Sequence, residues 1–503
     1  MIDAFIGGLL AILHVKPLLF MIIGSGVGFW VGILPGIGGT TTMAIMLSFI
    51  YKMQPQEALA FLLGMHSVVS TTGDITSVLF GVPGEGTTVA TIVDGYPMAK
   101  KGEAGRALGA VLMSSLVGAV IGALVLAFSI PIVRPLVLAL GSPEMFMLTI
   151  LGITCVASLS SQGKRGLLMG FLSGGFGLLC SMVGQESQAG ILRFTFGQLY
   201  LWNGFAIVPV VVGLFAIPEI VDLTVRGTAI AGDVPFGNLG KGVKEGVKDT
   251  FRYFGLTVRC SIIGSFIGIL PGMGGAVSQW LAYAHATQSA KTEKERSGFG
   301  KGDIRGVLGP GAANNSKEGA ALIPTVAFGV PGSSGMAILL GALLILGIVP
   351  GPDMLTKHLT LTFSLVWTII LSNVFIVSVC LCIINHIAKL TTIRGNLMIP
   401  FIILLCFIGA YTANFHIGDL IVLMVFGAIG YFMVLFRIPR PPLILGFILG
   451  ILSESYLYTS TIRYGAIWLS RPKVIIIFFI TVGFVLYPYI HKKFMNKEEP
   501  DEI

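Results

Sequence analysis

The sequence predicts an all-α polytopic membrane protein, and three observations lead there. Hydrophobic residues fill 54% of the 503 positions and charged residues only 11%, whereas an average soluble protein is about 25% charged. Continuous apolar runs bounded by charge, such as RPKVIIIFFITVGFVLYPYI at 471 to 490, suit helices; a β-barrel would show short alternating segments between turns. Two Gly-Pro motifs also recur in the same order in both halves, as repeat-built membrane proteins do. At roughly 20 apolar residues per span plus loops, the length accommodates about ten to twelve transmembrane helices. A soluble globular enzyme is excluded.

The elements follow in chain order. The N-terminus, MIDAFIGGLLAILHVK, has an acid at Asp3 and no basic leader or cleavage pattern, so it is not expected to be a removable signal. GILPGIGGTTTMAIM at 32 to 46 and FGVPGEGTTVATI at 80 to 92 punctuate the first half, and apolar runs follow around 104 to 130, 143 to 160, 164 to 183 and 203 to 225. Residues 1–226 thus form a first transmembrane repeat. The Gly- and charge-rich segment 227–251 reads as a cytoplasmic connector with a short amphipathic helix. A second repeat, 252–490, carries GILPGMGGAVSQWLA at 268 to 282 and FGVPGSSGMAILL at 328 to 340, then runs around 359 to 385, 396 to 411, 416 to 436, 442 to 458 and 472 to 490. Residues 491–503 are a polar C-terminal tail.

The repeats are offset and their loop charges reversed. From Pro35 to Pro271 is 236 residues and from Pro83 to Pro331 is 248, so the second half holds 12 more between its motifs, absorbed by KTEKERSGFGKGDIRG at 291 to 306. After the first motif the first half has only Lys52, against Lys291, Lys294, Arg296, Lys301 and Arg305 in the second. After the second motif the bias reverses, with Lys100, Lys101 and Arg106 against Lys357 alone. Inverted-topology repeats predict this, with the loops near 100 and 296 both cytoplasmic. The net charge of +8 is thus a topology signal, since no polar domain offers a basic face to nucleic acid. The six cysteines lie in apolar stretches without metal-ligand spacing and read as small buried hydrophobes.

The motifs carry the chemistry. A Pro flanked by Gly breaks a membrane helix by removing a donor and displacing a carbonyl, and broken backbone survives at membrane depth only when buried in protein or lining a cavity. The helix that resumes presents free N–H groups and a positive dipole end, an anion receptor without a charged side chain. Candidate anion-binding residues are Gly36, Gly38, Gly39, Thr40 and Thr41 in the first break and Gly272, Gly274, Gly275 and Ser278 in its repeat. Gly84, Glu85, Gly86, Thr87 and Thr88 follow GVPG in the first half, and Gly332, Ser333, Ser334 and Gly335 do so in the second. The plain alternative is close packing through small residues in a chain with 67 glycines, which duplication at matched positions disfavours.

Polar groups upstream of each GVPG stand in apolar surroundings, and intramembrane ionisable groups are costly enough to suggest function. Asp74 and Thr76, with the neutral oxygens of Asn314 and Asn315, suit a hard monovalent cation such as Na+. Against this, Asp74 caps a helix and Lys317 and Glu318 neutralise each other. His66 and His285 lie near the motifs and read more simply as structural than as proton relays.

Together with DGYPMAKKGEAGRALG at 94 to 109 and GIVPGPDM at 347 to 354, these motifs resemble the large membrane subunit, the TctA type, of bacterial tripartite tricarboxylate transporters. The resemblance covers nearly the whole chain. It implies a secondary transporter in the bacterial cell inner membrane, working with a small membrane subunit of about four helices and a periplasmic substrate-binding protein. The implied substrate is a citrate-like di- or tricarboxylate, carried by symport with Na+ or H+ and without a cofactor. SSG in the second half stands where the first has EGT, so the two halves are not chemically equivalent. An anion channel and an intramembrane enzyme acting on lipid are the competing readings. The enzyme is disfavoured because the spans hold no paired acidic cluster.

Overall fold

The computed structural model describes residues 1–33, 38–159, 163–186, 188, 190–226, 240–271, 273–390 and 399–495. Twenty α-helices lie among the described residues. The first half contributes α1 (Ile2–Leu13), α2 (Val15–Gly32), α3 (Gly39–Met46), α4 (Pro55–Phe80), α5 (Val89–Lys100), α6 (Ala104–Leu138), α7 (Ser142–Leu159), α8 (Gly163–Ser181) and α9 (Ile207–Arg226). A two-stranded hairpin pairing Gly184 with Arg193 separates α8 from α9. The connector yields α10 (Gly240–Arg252). The rest of the chain forms α11 (Phe254–Ile269), α12 (Gly274–Gln288), α13 (Glu293–Arg296), α14 (Arg305–Phe328), α15 (Ser334–Ile345), α16 (Leu359–Leu390), α17 (Ile399–Thr412), α18 (Ile417–Leu435), α19 (Pro441–Tyr464) and α20 (Pro472–Met495). Six segments among the described residues are long and apolar enough to cross a membrane: Val15–Gly32, Pro55–Phe80, Ala104–Leu138, Leu359–Ile387, Ile417–Leu435 and Pro441–Ser470. Several shorter apolar helices accompany them among the described residues, of which Phe254–Ile269 and Ser334–Ile345 adjoin the Gly-Pro breaks of the second half.

Helices α4 and α14 form the centre, and nearly every residue of each is buried. Each ends on a glycine in the left-handed region, Gly81 at φ +68° and Gly329 at φ +67°. An L side chain is strained there, so glycine provides the stop. Helix α2 packs on α4, and α11 on α14, through glycines that let backbones touch. A Cβ on Gly28 would strike the Met65 carbonyl, and one on Gly264 the Ala313 carbonyl. From 28 to 264 is 236 residues and from 65 to 313 is 248, the same two offsets that relate the motifs. Gly84 likewise abuts the Gly32 carbonyl and Gly332 the Gly268 carbonyl. The duplicated sequence therefore makes duplicated contacts.

The two central helices pass in opposite directions. His66 meets Glu318 and Ser70 meets Asn314, so the partner number falls as the chain advances. At one end of the bundle the basic loops come together: Lys101 Nζ donates to the Lys301 carbonyl, and Asp94 accepts from the Gly302 and Asp303 amides at 2.7 and 2.9 Å. Helix α10 lies against α6 nearby, joined by Arg106 and Asp249 at 2.6 Å. A separate cleft is lined by Lys16, Gln54, Glu57 and His358, which brings together the two loops that carry Lys52 and Lys357.

Candidate functional site

Two connected features meet where α4 crosses α14. The first is a buried polar seam. Glu318 is its hub, with His66 Nε2 3.2 Å from Oε2, Lys317 Nζ against Oε1, and the Ser70 hydroxyl 3.3 Å from the same oxygen. Ser70 Oγ also lies 3.3 Å from Glu85 Oε2, to which the Thr87 hydroxyl donates at 3.2 Å. Lys317 thus has Glu318 beside it as expected, yet the pair is not closed on itself. It joins His66 and, through Ser70, Glu85.

Asp74, one α4 turn beyond Ser70, is fully buried and makes no hydrogen bond of normal length through either carboxylate oxygen. Thr91 on α5 and Asn314 on α14 are the neutral polar side chains that act on it, and Glu85 acts on it by its charge. Thr91 Oγ1 and Asn314 Oδ1 are themselves buried without a hydrogen-bond partner. These four oxygens lie together with no hydrogen bond of normal length between them, the kind of hard-donor cluster that suits Na+.

The structure separates the other two sequence-predicted cation ligands from this group. Thr76 is two residues from Asp74 on one helix, a spacing that turns side chains apart, and its hydroxyl donates to the Gly73 carbonyl at 3.1 Å. Asn315, rotated about 100° from Asn314 by the helical pitch, bonds Thr71 and Asn373 at 2.5 and 2.8 Å. Asn373 in turn donates to Ser67 at 2.5 Å, so the Asn315 amide belongs to a second polar cluster between α4, α14 and α16, with Asn315 Oδ1 left without a hydrogen-bond partner.

The second feature is a cavity of about 450 Å³, within the range of small-molecule sites. Gly38, Thr40 and Thr41 of the first break line it, with Gly84, Glu85, Gly86 and Thr87 of the second and Ser334 of the fourth. Glu85 belongs to both features and connects them. The third break lies just behind: a Cβ on Gly275 would strike Lys317 Cε and Thr87 Cγ2. Gly39 faces Glu85 and His66, and Gly335 faces His66. All four breaks therefore gather around the seam.

Other members of the predicted anion set serve the scaffold. Thr88 bonds Ser77 at 2.8 Å, and Ser333 caps α15 by accepting from the Met336 amide at 3.3 Å. Ser278 donates to the Ala313 carbonyl at 3.3 Å, and Gly332 packs against Gly268 and Ala321. Gly274 opens α12, while Gly36 and Gly272 lie outside the described residues.

Sequence reasoning missed Thr91, gave His66 a structural role, and did not find the far wall of the cavity. That wall is Phe215 and Glu219 of α9 with Arg440 at the start of α19. Arg440 Nη1 donates to the Leu214 carbonyl at 3.1 Å, and its guanidinium lies 4.9 Å from the Phe215 ring centroid. The available signal was RIPRPP at 437 to 442, a charged turn between two apolar runs.

A family model described as the tripartite tricarboxylate transporter TctA family matches residues 18–445. The chain is 33% identical over 441 residues to an uncharacterised 52.8 kDa protein of Agrobacterium vitis from the TAR-I ttuC' 3' region, covering 88% of this chain and 86% of that one. A second uncharacterised Agrobacterium vitis protein, from the TAR-II ttuC' 3' region, is 33% identical over 199 residues, 40% of this chain and 81% of its own. No solved structure matches.

Proposed function

Because the chain belongs to the tripartite tricarboxylate transporter TctA family, we propose that it is the permease that imports a di- or tricarboxylate by symport with Na+ across the bacterial inner membrane. Its partners in this reading are a small membrane subunit and a periplasmic substrate-binding protein. The candidate Na+ site is Asp74, Thr91 and Asn314, and the candidate substrate site is the cavity lined by Gly38, Thr40, Thr41, Gly86, Thr87 and Ser334.

The charge balance of the seam carries the proposal. Asp74, Glu85 and Glu318 bring three carboxylates to the crossing of α4 and α14 against two basic groups, the ammonium of Lys317 and the imidazole of His66. An anionic substrate entering the cavity meets the half-buried Glu85 on its wall, which repels it. A cation at Asp74 offsets it. Binding of cation and anion is then mutually favourable, and by linkage each raises the affinity for the other, which is the thermodynamic requirement of symport. First-turn N–H groups at Thr40 and Thr41 supply donors to the anion without adding fixed charge.

The opposed passage of α4 and α14 supports an inverted arrangement of the two repeats. The meeting of the basic loops at Lys101 and Lys301 supports a single cytoplasmic face for both. Reconstituted with its partners in liposomes, the permease is expected to accumulate citrate only while an inward Na+ gradient is held. Passive flux unaffected by collapsing the gradient would instead identify an anion channel.

A further inference from the structure

We propose that Arg440 receives one carboxylate of the substrate while the glycine-rich breaks receive another, so that this residue makes the site selective for acids with at least two carboxylates. The inference rests on the carboxylate reading above and extends it to a residue outside the duplicated motifs. The cavity has two chemically distinct walls. One is backbone and hydroxyl, from Gly38, Thr40, Gly86 and Ser334; the other bears the guanidinium of Arg440 beside Glu219.

A guanidinium has five donors in a rigid fork that matches a carboxylate. Only one protein hydrogen bond is formed from it, by Nη1 to the Leu214 carbonyl at 3.1 Å, among those of the described residues. Phe215 beneath the guanidinium and the Leu214 carbonyl hold the side chain in place, so little ordering is needed when a ligand arrives. Glu219 acts electrostatically on the same group and shares the cavity wall. It therefore competes with an incoming carboxylate for the fork, and a substrate with one carboxylate satisfies one wall only.

A double-mutant cycle between side chain and ligand tests this. Full-length permease, purified in Na+, is titrated calorimetrically with citrate, succinate, the dimethyl ester of citrate and the monomethyl ester of succinate, so that each ester keeps a single carboxylate. Wild type is expected to bind the acids tenfold to hundredfold more tightly than the esters, the size of a lost charge-assisted contact. In Arg440→Gln the ratio should fall toward one through weaker acid binding, with ester binding retained. Glu219→Gln reads the same contact while keeping Arg440, and should tighten acid binding more than ester binding. An unchanged acid-to-ester ratio in normally folded Arg440→Gln, or in Glu219→Gln if the former does not fold, overturns the inference and leaves Na+-coupled carboxylate transport standing. Wild type that binds neither acid overturns the carboxylate reading itself, and this inference with it.

Discussion

Replacing Asp74 by Asn tests the coupling site with shape held constant. The side chain is wholly buried, and neither carboxylate oxygen has a hydrogen-bond partner. Without Na+ the native group must either stay an unpaired buried charge or take up a proton, and each course costs free energy that a neutral amide does not. The new amide removes that charge and finds acceptors at Thr91 Oγ1 and Asn314 Oδ1, which are also free. The Na+-free variant should therefore unfold at the wild-type temperature or above it. Its Na+ affinity should fall, because a charged ligand contributes about 1.5 to 3 kcal/mol, or roughly tenfold to hundredfold. Stabilisation by bound ligand grows with the logarithm of its excess. Na+ at about 100 times its dissociation constant adds about 2.7 kcal/mol to wild type, and the same concentration adds only about 0.4 kcal/mol to a variant bound hundredfold more weakly. Thermal unfolding with and without NaCl, with KCl at matched ionic strength, measures this, and citrate uptake against Na+ concentration gives the functional counterpart. An Asp74→Asn protein with the wild-type Na+ shift would refute the assignment.

The remaining predictions separate site from scaffold. Thr91→Val should weaken Na+ activation, whereas Thr76→Val, on the other side of α4, should leave it unchanged; equal effects in uptake assays would return Thr76 to the ligand set. A Cβ on Gly38 or Gly86 meets no atom within 4 Å, so Gly38→Val and Gly86→Val should insert normally and lose transport, as read by membrane yield against citrate uptake. Gly332→Val, whose Cβ lies 2.7 Å from the Gly268 carbonyl and 2.8 Å from Ala321 Cα, should instead lose yield. Asn315→Leu leaves Thr71 and Asn373 short of a partner and should destabilise by about 1 to 3 kcal/mol, with an unaltered Na+ midpoint in whatever protein remains folded. Cysteines at Lys101 and Arg296 should react with an impermeant thiol reagent from the cytoplasmic side only, and cysteines at Gln54 and Lys357 from the periplasmic side only.

The breaks were legible in the sequence because their cause is local. A glycine two residues before a proline, Gly81 with Pro83 and Gly329 with Pro331, favours a helix stop from local geometry alone, and both central helices do end there. Partner identity across the bundle was not legible. Helix α14 carries Asn314, Asn315, Lys317 and Glu318 and does not read as an apolar span, yet it is buried from Gly306 to Ala327. Its polar groups are matched by α4 and α16, whose positions follow from tertiary packing. Register within a helix was the second gap. Asn314 and Asn315 look interchangeable in a sequence but face different neighbours. Arg440 is more than 200 residues beyond Leu214 and Phe215, the two residues that hold it, and no period in the sequence connects them.

Duplication of the backbone did not duplicate the chemistry. At the 248-residue offset, His66 corresponds to Asn314, Ser70 to Glu318, Asp74 to Leu322, Glu85 to Ser333 and Thr91 to Leu339. The first-half member of the Asp74, Thr91 and Asn314 group is thus hydrocarbon in the second half at two of three positions. The proposed cation group therefore has no chemical counterpart at the 248-residue offset. The seam itself needs both halves, since Glu318 bonds His66 and Asn314 bonds the Ser70 carbonyl. If the halves move against each other, the bonds at risk are the ones between α4 and α14. A cation held between Asp74 on α4 and Asn314 on α14 would tie the helices together, while loss of that cation would leave a buried negative charge between them. In the proposed reading, an asymmetric site would link cation occupancy to the relative position of two otherwise similar halves, as a symporter that works by rocking one repeat against the other requires.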